Sequence, residues 1–224
     1  NSSNPSYGFI QGQSYVIPQI WGDFDGYGGD TTYNYPSNHV GYSNKVNFVF
    51  NMGGALGDSS WLEAGDAPMV AFHVIGDPFA PFGNGPVYVP TQPPQYVVDV
   101  SGSSVVVAKS NALGNNNCFN SGGWNDVYTQ RANAINNGQD GLFPFQTSTL
   151  IQSGPWEWYD SLSLVLFSQA IGQPAAGGTQ AYMNGLATNP DMSKAKALAY
   201  IDTIQNYLNP RIARCLGLFT GMSE

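Results

Sequence analysis

Two short apolar segments in the first third of the chain carry the clearest strand pattern. Residues 46–52 (VNFVFNM) are rich in β-branched and aromatic side chains and end at Gly53-Gly54, and residues 69–75 (MVAFHVI) end at Gly76. Apolar runs of this length between turn residues are typical of buried strands. Because the connection between them is long, we expect the two strands to pair in parallel within an α/β fold.

Helical spacing is clearest near the end of the chain. Beginning at Asp191 or Ser193, apolar side chains recur every three or four residues on one predicted face. That face comprises Ala195, Leu198, Ile201, Ile204, Tyr207 and Leu208. Proline lacks the backbone N–H that a helix interior uses, so Asn209-Pro210 predicts the end of this helix and the start of a short last helix through Leu216.

Three further segments complete the predicted elements. Residues 156–171 predict a helix, and residues 126–135 predict a shorter one. Residues 96–113 begin as a strand, and the three valines at 105–107 leave helix and strand equally favoured for the rest of that segment.

The segments between these elements are rich in Gly, Asn, Ser and Pro. Residues 1–44 show no sustained period apart from a short strand predicted near residues 15–17. We therefore expect a single domain. Its parts are an irregular start (1–44), a strand-rich core (45–114), a loop-rich region (115–155) and a helical region (156–224).

The chain carries little charge, and most of it is negative. There are 15 acidic and 7 basic residues, the formal net charge is −8, and charged residues make up 10% of the chain, where roughly 25% is usual. Gly, Asn, Ser and Tyr take their place, which is more typical of secreted or cell-surface proteins. The scattered basic residues form no cationic stripe, so nucleic acid and anionic membranes are unsuitable partners. No apolar run approaches the roughly 20 residues of a membrane span.

Two cysteines limit the covalent chemistry. Cys118 and Cys215 permit one disulfide but no cysteine-based metal site or redox motif. Two reduced, buried thiols are the alternative. The chain begins at Asn1 with no initiator Met and no basic-then-apolar leader, so we expect a mature or cleaved product.

Three motifs follow one another within residues 41–86. They are N-x-x-G-A at 51–55, W-L-x-x-G-D-x-P at 61–68, and F-H-x-x-x-D-x-x-x-P-F at 72–82. In this order they resemble the later half of secreted bacterial α/β-hydrolase-like proteins related to carbohydrate and feruloyl esterases. The resemblance implies a partial or degenerate α/β-hydrolase-like fold, with a mainly parallel sheet, flanking helices and long irregular loops.

The same resemblance implies a catalytic acid at Asp77, just after a buried strand. An Asp before Pro is also a common turn residue, so both roles stay open. No G-x-S-x-G motif occurs, and the nearest sequence, at residues 12–16, lacks its second glycine. Both histidines, His39 and His73, precede Asp77, whereas the general base follows the acid in that family. We therefore expect no self-contained triad, and any enzymatic activity would be that of a serine esterase completed from elsewhere.

An acidic, glycine-rich loop is the candidate metal site. Asp23, Asp25 and Asp30 place three carboxylates within residues 23–30, and calcium prefers oxygen ligands of this kind. The spacing is not that of an EF-hand, and a solvated acidic turn is the alternative.

Two other patterns point to sugars. Trp156 and Trp158 offer flat faces for stacking on sugar rings, with core packing as the alternative. The tripeptides D-T-T and D-S-L resemble an O-glycosylation acceptor motif of secreted bacterial proteins, which makes Thr31 and Ser161 candidate attachment sites.

Three functions are compatible with these patterns. The favoured one is a secreted or cell-surface subunit with a structural, adhesive or assembly role, because surfaces with little charge associate with less desolvation. Its partner would be another copy of the chain. The second is the C-terminal fragment of a cleaved carboxylesterase or carbohydrate esterase whose nucleophile lies on an upstream fragment. The third is a carbohydrate-binding module that recognises glycans.

Overall fold

A computed structural model describes residues 9–10, 13–14, 43, 45–89, 91–120, 122–147 and 152–218. The chain divides into two compact units, residues 1–45 and residues 46–224. In the first unit, strand β1 (Phe9–Ile10) pairs antiparallel with strand β2 (Gln13–Ser14). The strand predicted near residues 15–17 lies outside the described residues.

A three-stranded parallel sheet forms the centre of the second unit. Its strand order is β3 (Val49–Met52), β5 (Met69–Val74) and β8 (Leu142–Phe145). β3 and β5 are the two strands that the apolar pattern predicts, and their parallel pairing is confirmed, with Val49 opposite Met69. Every residue of β5 is buried, because this strand is hydrogen-bonded on both edges and covered on both faces.

A second sheet is antiparallel and adjoins the first helix. It has the order β4 (Ala55–Leu56), β7 (Gln95–Gly102) and β6 (Asn84–Val89). β7 runs directly into helix α1 (Ser103–Ala112). The segment that left helix and strand equally favoured therefore contains both.

Four more helices are described in the second unit: α2 (Val127–Asn133), α3 (Ser161–Ala170), α4 (Ala175–Thr188) and α5 (Lys194–Cys215). The prediction of a helix from residue 156 is wrong in its start. α3 begins at Ser161 because the Asp160 carboxylate accepts a hydrogen bond from the Ser163 N–H at 2.8 Å and caps the first turn. In the part of the chain that the structure describes, no helix is long and apolar enough to cross a membrane.

The prediction that Asn209-Pro210 ends the last helix is also wrong. α5 continues through Pro210 to Cys215. Tyr207 and Arg211, on either side of this proline, are fully buried, and the Arg211 guanidinium lies 3.5 Å from the Tyr207 ring centroid. The contacts on both sides of Pro210 therefore outweigh the roughly 3 kcal/mol that an internal proline costs a helix.

Aromatic rings of β8 and α5 meet in the main core. The rings of Phe143 and Tyr207 lie 5.0 Å apart with an edge-to-face geometry. The predicted face of α5 is right at Ile204, Tyr207 and Leu208. It is wrong at Ala195, Leu198 and Ile201, which are exposed. The buried face comprises Ala197, Thr203, Ile204, Tyr207, Leu208 and Arg211. The helix is therefore rotated so that a threonine and an arginine enter the core where the pattern predicted aliphatic side chains.

Candidate functional site

The ends of β3, β5 and β7 bring a set of polar groups together, which we call the His73 cluster: Asn51, Gly54, His73, Asp77 and Ser103. His73 lies near the end of β5, and Ser103 is the first residue of α1. Gly102 lets the backbone of residues 81–83 pass close to the start of α1, since a Cβ atom at Gly102 would lie 1.8 Å from the carbonyl oxygen of Pro81.

The imidazole of His73 has a partner on each ring nitrogen. Nδ1 lies 2.7 Å from Ser103 Oγ, and Nε2 lies 3.0 Å from the carbonyl oxygen of Ala80. A carbonyl oxygen can only accept, so Nε2 carries the proton. In the neutral ring Nδ1 is then the acceptor, and the Ser103 hydroxyl donates to it.

Asn51 holds the other side of Ser103. Its Nδ2 donates to Ser103 Oγ at 3.1 Å and to the carbonyl oxygen of Gly54 at 3.0 Å, while its Oδ1 accepts from the Gly54 N–H at 3.0 Å. Ser103 Oγ also lies 3.1 Å from that Gly54 carbonyl oxygen. The hydroxyl therefore has a second acceptor within reach whenever Nδ1 carries a proton.

Burial governs the protonation of this histidine. Desolvation lowers the pKa of His73, opposed by the hydrogen bond to Ala80 and by the charge of Asp77. The exposed fraction of both His73 and Ser103 is 0%. The geometry and the desolvation both favour the neutral imidazole.

Asp77 shapes the turn that follows β5. Its Oδ1 accepts hydrogen bonds from the N–H groups of Phe79 at 2.8 Å and Ala80 at 3.0 Å. Its Oδ2 lies 3.7 Å from Nε2 of His73, beyond hydrogen-bond distance. These contacts are those of a turn-forming Asp. The turn places the Ala80 carbonyl oxygen next to Nε2 of the imidazole.

The His73 cluster contains the residue types of a serine-hydrolase triad without its working geometry. In a triad the acid accepts a hydrogen bond directly from the imidazole, and the serine oxygen faces the substrate. Here Nε2 donates to a backbone carbonyl, and Ser103 Oγ has no exposed surface. In this conformation the cluster joins two sheets and a helix and offers no nucleophile to a substrate.

The remaining predicted site residues lie apart from this cluster. Cys118 and Cys215 form a disulfide that ties the turn at Asn117–Phe119 to the end of α5. Trp156 is half-buried and packs against the main core, whereas Trp158 is exposed with Lys194 Nζ 5.6 Å from its ring centroid. Only Trp158 presents a face for stacking.

The other candidates concern metal and glycan attachment. Ser161 is exposed at the first turn of α3, and its modification stays a prediction. Asp23, Asp25, Asp30 and Thr31 lie outside the described residues. Among the residues that are described, no group of three or more His, Cys, Asp or Glu side chains could hold a metal ion.

Sequence reasoning predicted the helix that contains α3 but missed α4, and with it the helical hairpin that the two form. Five large apolar side chains of this hairpin are each 55–64% exposed. Four of them lie on the side of α3 that faces away from α4, and we call this surface the hairpin face: Leu162, Leu166, Phe167 and Ile171. The fifth, Met183, lies on the side of α4 that faces away from α3. Gly178 lets the helices approach closely, since a Cβ atom there would lie 2.4 Å from the carbonyl oxygen of Leu164.

The hairpin face carries no charge. None of residues 161–188 is Asp, Glu, Lys, Arg or His. On α3 the four exposed apolar positions fall within about half of the helix circumference, while Val165 and Ser168 turn towards α4. The absence of charge over this stretch is the signal in the sequence that could have identified the surface.

Comparison with protein-family models, with characterised proteins and with solved structures finds no match to this chain.

Proposed function

We propose that this chain is a non-catalytic, α/β-hydrolase-like subunit that assembles with further copies of itself outside the cell. The observation that carries the proposal is the hairpin face, a charge-free helical surface with four exposed large apolar side chains. A surface helix normally turns only one apolar stripe towards its own core. α3 is apolar towards α4 and also away from it, so it has the pattern of a helix covered on both sides.

The charge distribution favours a second copy as the partner. Two chains with a net charge of −8 repel each other. The hairpin face is a place where they can meet without bringing carboxylates together. The outer side of a helix is also a surface that a two-fold axis can pair with itself.

The area of the hairpin face is that of a small interface. Its four exposed side chains offer roughly 450 Å² of accessible surface, so that a pair of copies would bury about 900 Å² through them, in the range of weak or transient interfaces. The largest apolar patch on a typical monomer measures about 300–600 Å² and is often functional. Phe167 is the largest of these side chains and the expected centre of the contact.

The His73 cluster supports a role without catalysis. Its serine and histidine are fully buried, and Asp77 is engaged in a turn. The disulfide between Cys118 and Cys215 supports an oxidising, extracellular compartment.

The proposal is tested by measuring molar mass. Sedimentation velocity over a concentration series should show a dimer or larger assembly for the wild-type chain. Phe167→Glu should raise the dissociation constant about 100-fold or more, because it places a carboxylate in the contact from both copies. Val127→Glu is the matched control, since Val127 is 59% exposed at the first turn of α2, where Glu is well tolerated.

Two results would overturn the proposal. One is a wild-type chain that stays monomeric at about 100 μM, far above the concentration at which a stable interface forms. The other is labelling of the folded chain by a fluorophosphonate probe that is lost in Ser103→Ala. That result would show an accessible serine nucleophile and an esterase.

A further inference from the structure

A polar cavity of about 430 Å³ lies beside the C-terminal half of α1. Its polar side chains are Asn111, Asn116, Asn117, Asn120, Gln139 and Asp140. The loops at residues 115–120 and 136–141 form its walls. We call it the amide pocket, since five of these six groups are carboxamides. It is separate from the hairpin face and from the His73 cluster.

Buried asparagines hold the first wall in place. Asn116 is 3% exposed, its Oδ1 accepts from the Met69 N–H at 2.8 Å, and its Nδ2 donates to Asn111 Oδ1 at 2.7 Å. Asn111 in turn donates to Gln139 Oε1 and to the carbonyl oxygen of Asp140, both at 3.0 Å. These bonds run from the central strand β5 to the rim of the pocket, so its shape is fixed before any ligand binds.

The second wall is held by Asn136. Its Nδ2 donates to the carbonyl oxygens of Gln139 and Leu142, both at 3.1 Å, and its Oδ1 accepts from the Gly138 N–H at 3.0 Å. The loop that carries Gln139 and Asp140 is therefore tied to the start of β8. A rigid wall reduces the ordering cost of binding.

Three polar groups of the pocket are left for a ligand. Within the described part of the chain, Gln139 Nε2, Asn117 Nδ2 and the Asp140 carboxylate make no hydrogen bond. They supply two amide donors and one strong acceptor. Hydroxyl groups both donate and accept, so a ligand with several adjacent hydroxyls could satisfy all three groups.

The charge and lining of the pocket narrow the ligand class. No Lys, Arg or His is among its lining residues, so nothing there attracts an anion. A single carboxylate falls short of the six to eight oxygen ligands that calcium takes. The methyl groups of Ala108 and Ala112 add a small apolar surface that suits the C–H face of a sugar ring. The volume is within the range of about 300–1,000 Å³ for small-molecule pockets.

We propose that the amide pocket binds one neutral sugar ring, either as a free monosaccharide or as the terminal residue of a glycan. This goes beyond self-assembly and does not depend on it. The tryptophans that the sequence singled out for sugar stacking do not line this pocket.

Saturation-transfer difference NMR with the full chain tests the proposal. The probes are free glucose, galactose, mannose and N-acetylglucosamine, their methyl glycosides, and a soluble polysaccharide ending in the best ligand. We expect at least one probe to bind with a dissociation constant of about 1 mM or tighter. Binding of methyl glycosides but not of free sugars would indicate a glycan end, and the reverse would indicate a free saccharide.

Three variants connect binding to the pocket. Gln139→Ala and Asp140→Asn should each weaken binding about tenfold, since each removes one hydrogen bond to the ligand or weakens it. Gln180→Ala is the matched control, because Gln180 is an exposed amide on α4, and it should bind as the wild type does. Circular dichroism checks that each variant folds, and Asp140→Asn keeps the shape of the side chain that it replaces.

Two results would overturn the proposal. The first is no saturation transfer to any probe at about 10 mM, a concentration that detects even weak ligands. The second is binding that neither pocket variant weakens.

Discussion

The disulfide between Cys118 and Cys215 should contribute more to stability than any other single bond in the described structure. The two cysteines are 97 residues apart in sequence, so breaking the bond releases a long loop in the unfolded chain. In the chain-entropy model a loop of this length corresponds to about 4.7 kcal/mol at 25 °C. The perturbation that tests this is the double variant Cys118→Ala/Cys215→Ala.

Packing adds a smaller effect to the entropy. Both cysteines are partly buried against the main core, so removing their sulfur atoms should cost about 1 kcal/mol in lost contacts. The total loss should then be about 6 kcal/mol. For a domain of this size each kcal/mol shifts the melting temperature by about 2–4 °C, so the midpoint should fall by roughly 12–24 °C.

Urea and thermal unfolding, followed by circular dichroism, measure this loss. Wild-type chain in the presence of a reductant is the control, because it breaks the bond and keeps both sulfur atoms in place. The reduced wild type should be slightly more stable than the double variant. A loss below about 1 kcal/mol in both samples would show that the loop is already constrained in the unfolded state, and the entropic reasoning would be refuted.

Two further predictions concern the His73 cluster. Because burial lowers the pKa of His73 from its ordinary 6.5, its stabilising contribution is complete above about pH 6.5 and is lost as the pH falls through the folded-state pKa, by at most about 1.4 kcal/mol per pH unit. Urea unfolding at about pH 7.5 and pH 5 should show a larger loss in the wild type than in His73→Asn, and equal losses would contradict this. Asp77→Asn should change the unfolding free energy by about 1 kcal/mol or less, because an amide oxygen can accept the same two backbone hydrogen bonds; a loss above about 3 kcal/mol would be inconsistent with a turn role.

The central strands were predictable because one local signal determined them. β3 and β5 lie in short apolar runs that end at glycines, and nothing in their neighbourhood favours a helix. β8 was missed because its sequence, LFPF, contains Pro144. Backbone hydrogen bonds from β5 reach the carbonyl oxygens of Gly141 and Phe145. The nitrogen of Pro144 therefore faces the outer edge of the sheet, where no ladder bond is lost.

Helix α4 was missed for a different reason. Its sequence contains three glycines and few strong helix formers besides alanine, so its local propensity is low. Gly178 and Gly185 lie where α4 packs closely against its neighbours, and a Cβ atom on Gly185 would lie 2.7 Å from the ring of Tyr159. These glycines lower the helix propensity of α4, which is why the sequence did not predict it. They also allow its close packing, which is visible only in three dimensions.

The His73 cluster could be predicted only in part. His73 and Asp77 are four residues apart around one turn, so their proximity follows from the sequence. Ser103 lies 30 residues further along the chain than His73, and its place depends on how β7 enters the second sheet. No periodicity in the chain connects Ser103 to either residue.

The two surfaces on which the proposed function rests differ sharply in exposure. Ser103 is 0% exposed, whereas a serine nucleophile has to be reached by its substrate, and Phe167 is 63% exposed. Exposing Ser103 would require breaking its hydrogen bonds to His73 and Asn51. Each broken hydrogen bond would leave a buried polar group without a partner. Covering Phe167 requires no broken bond, only a second surface of the same kind. The association of two copies is therefore the easier change, and it is the one on which the proposed function rests.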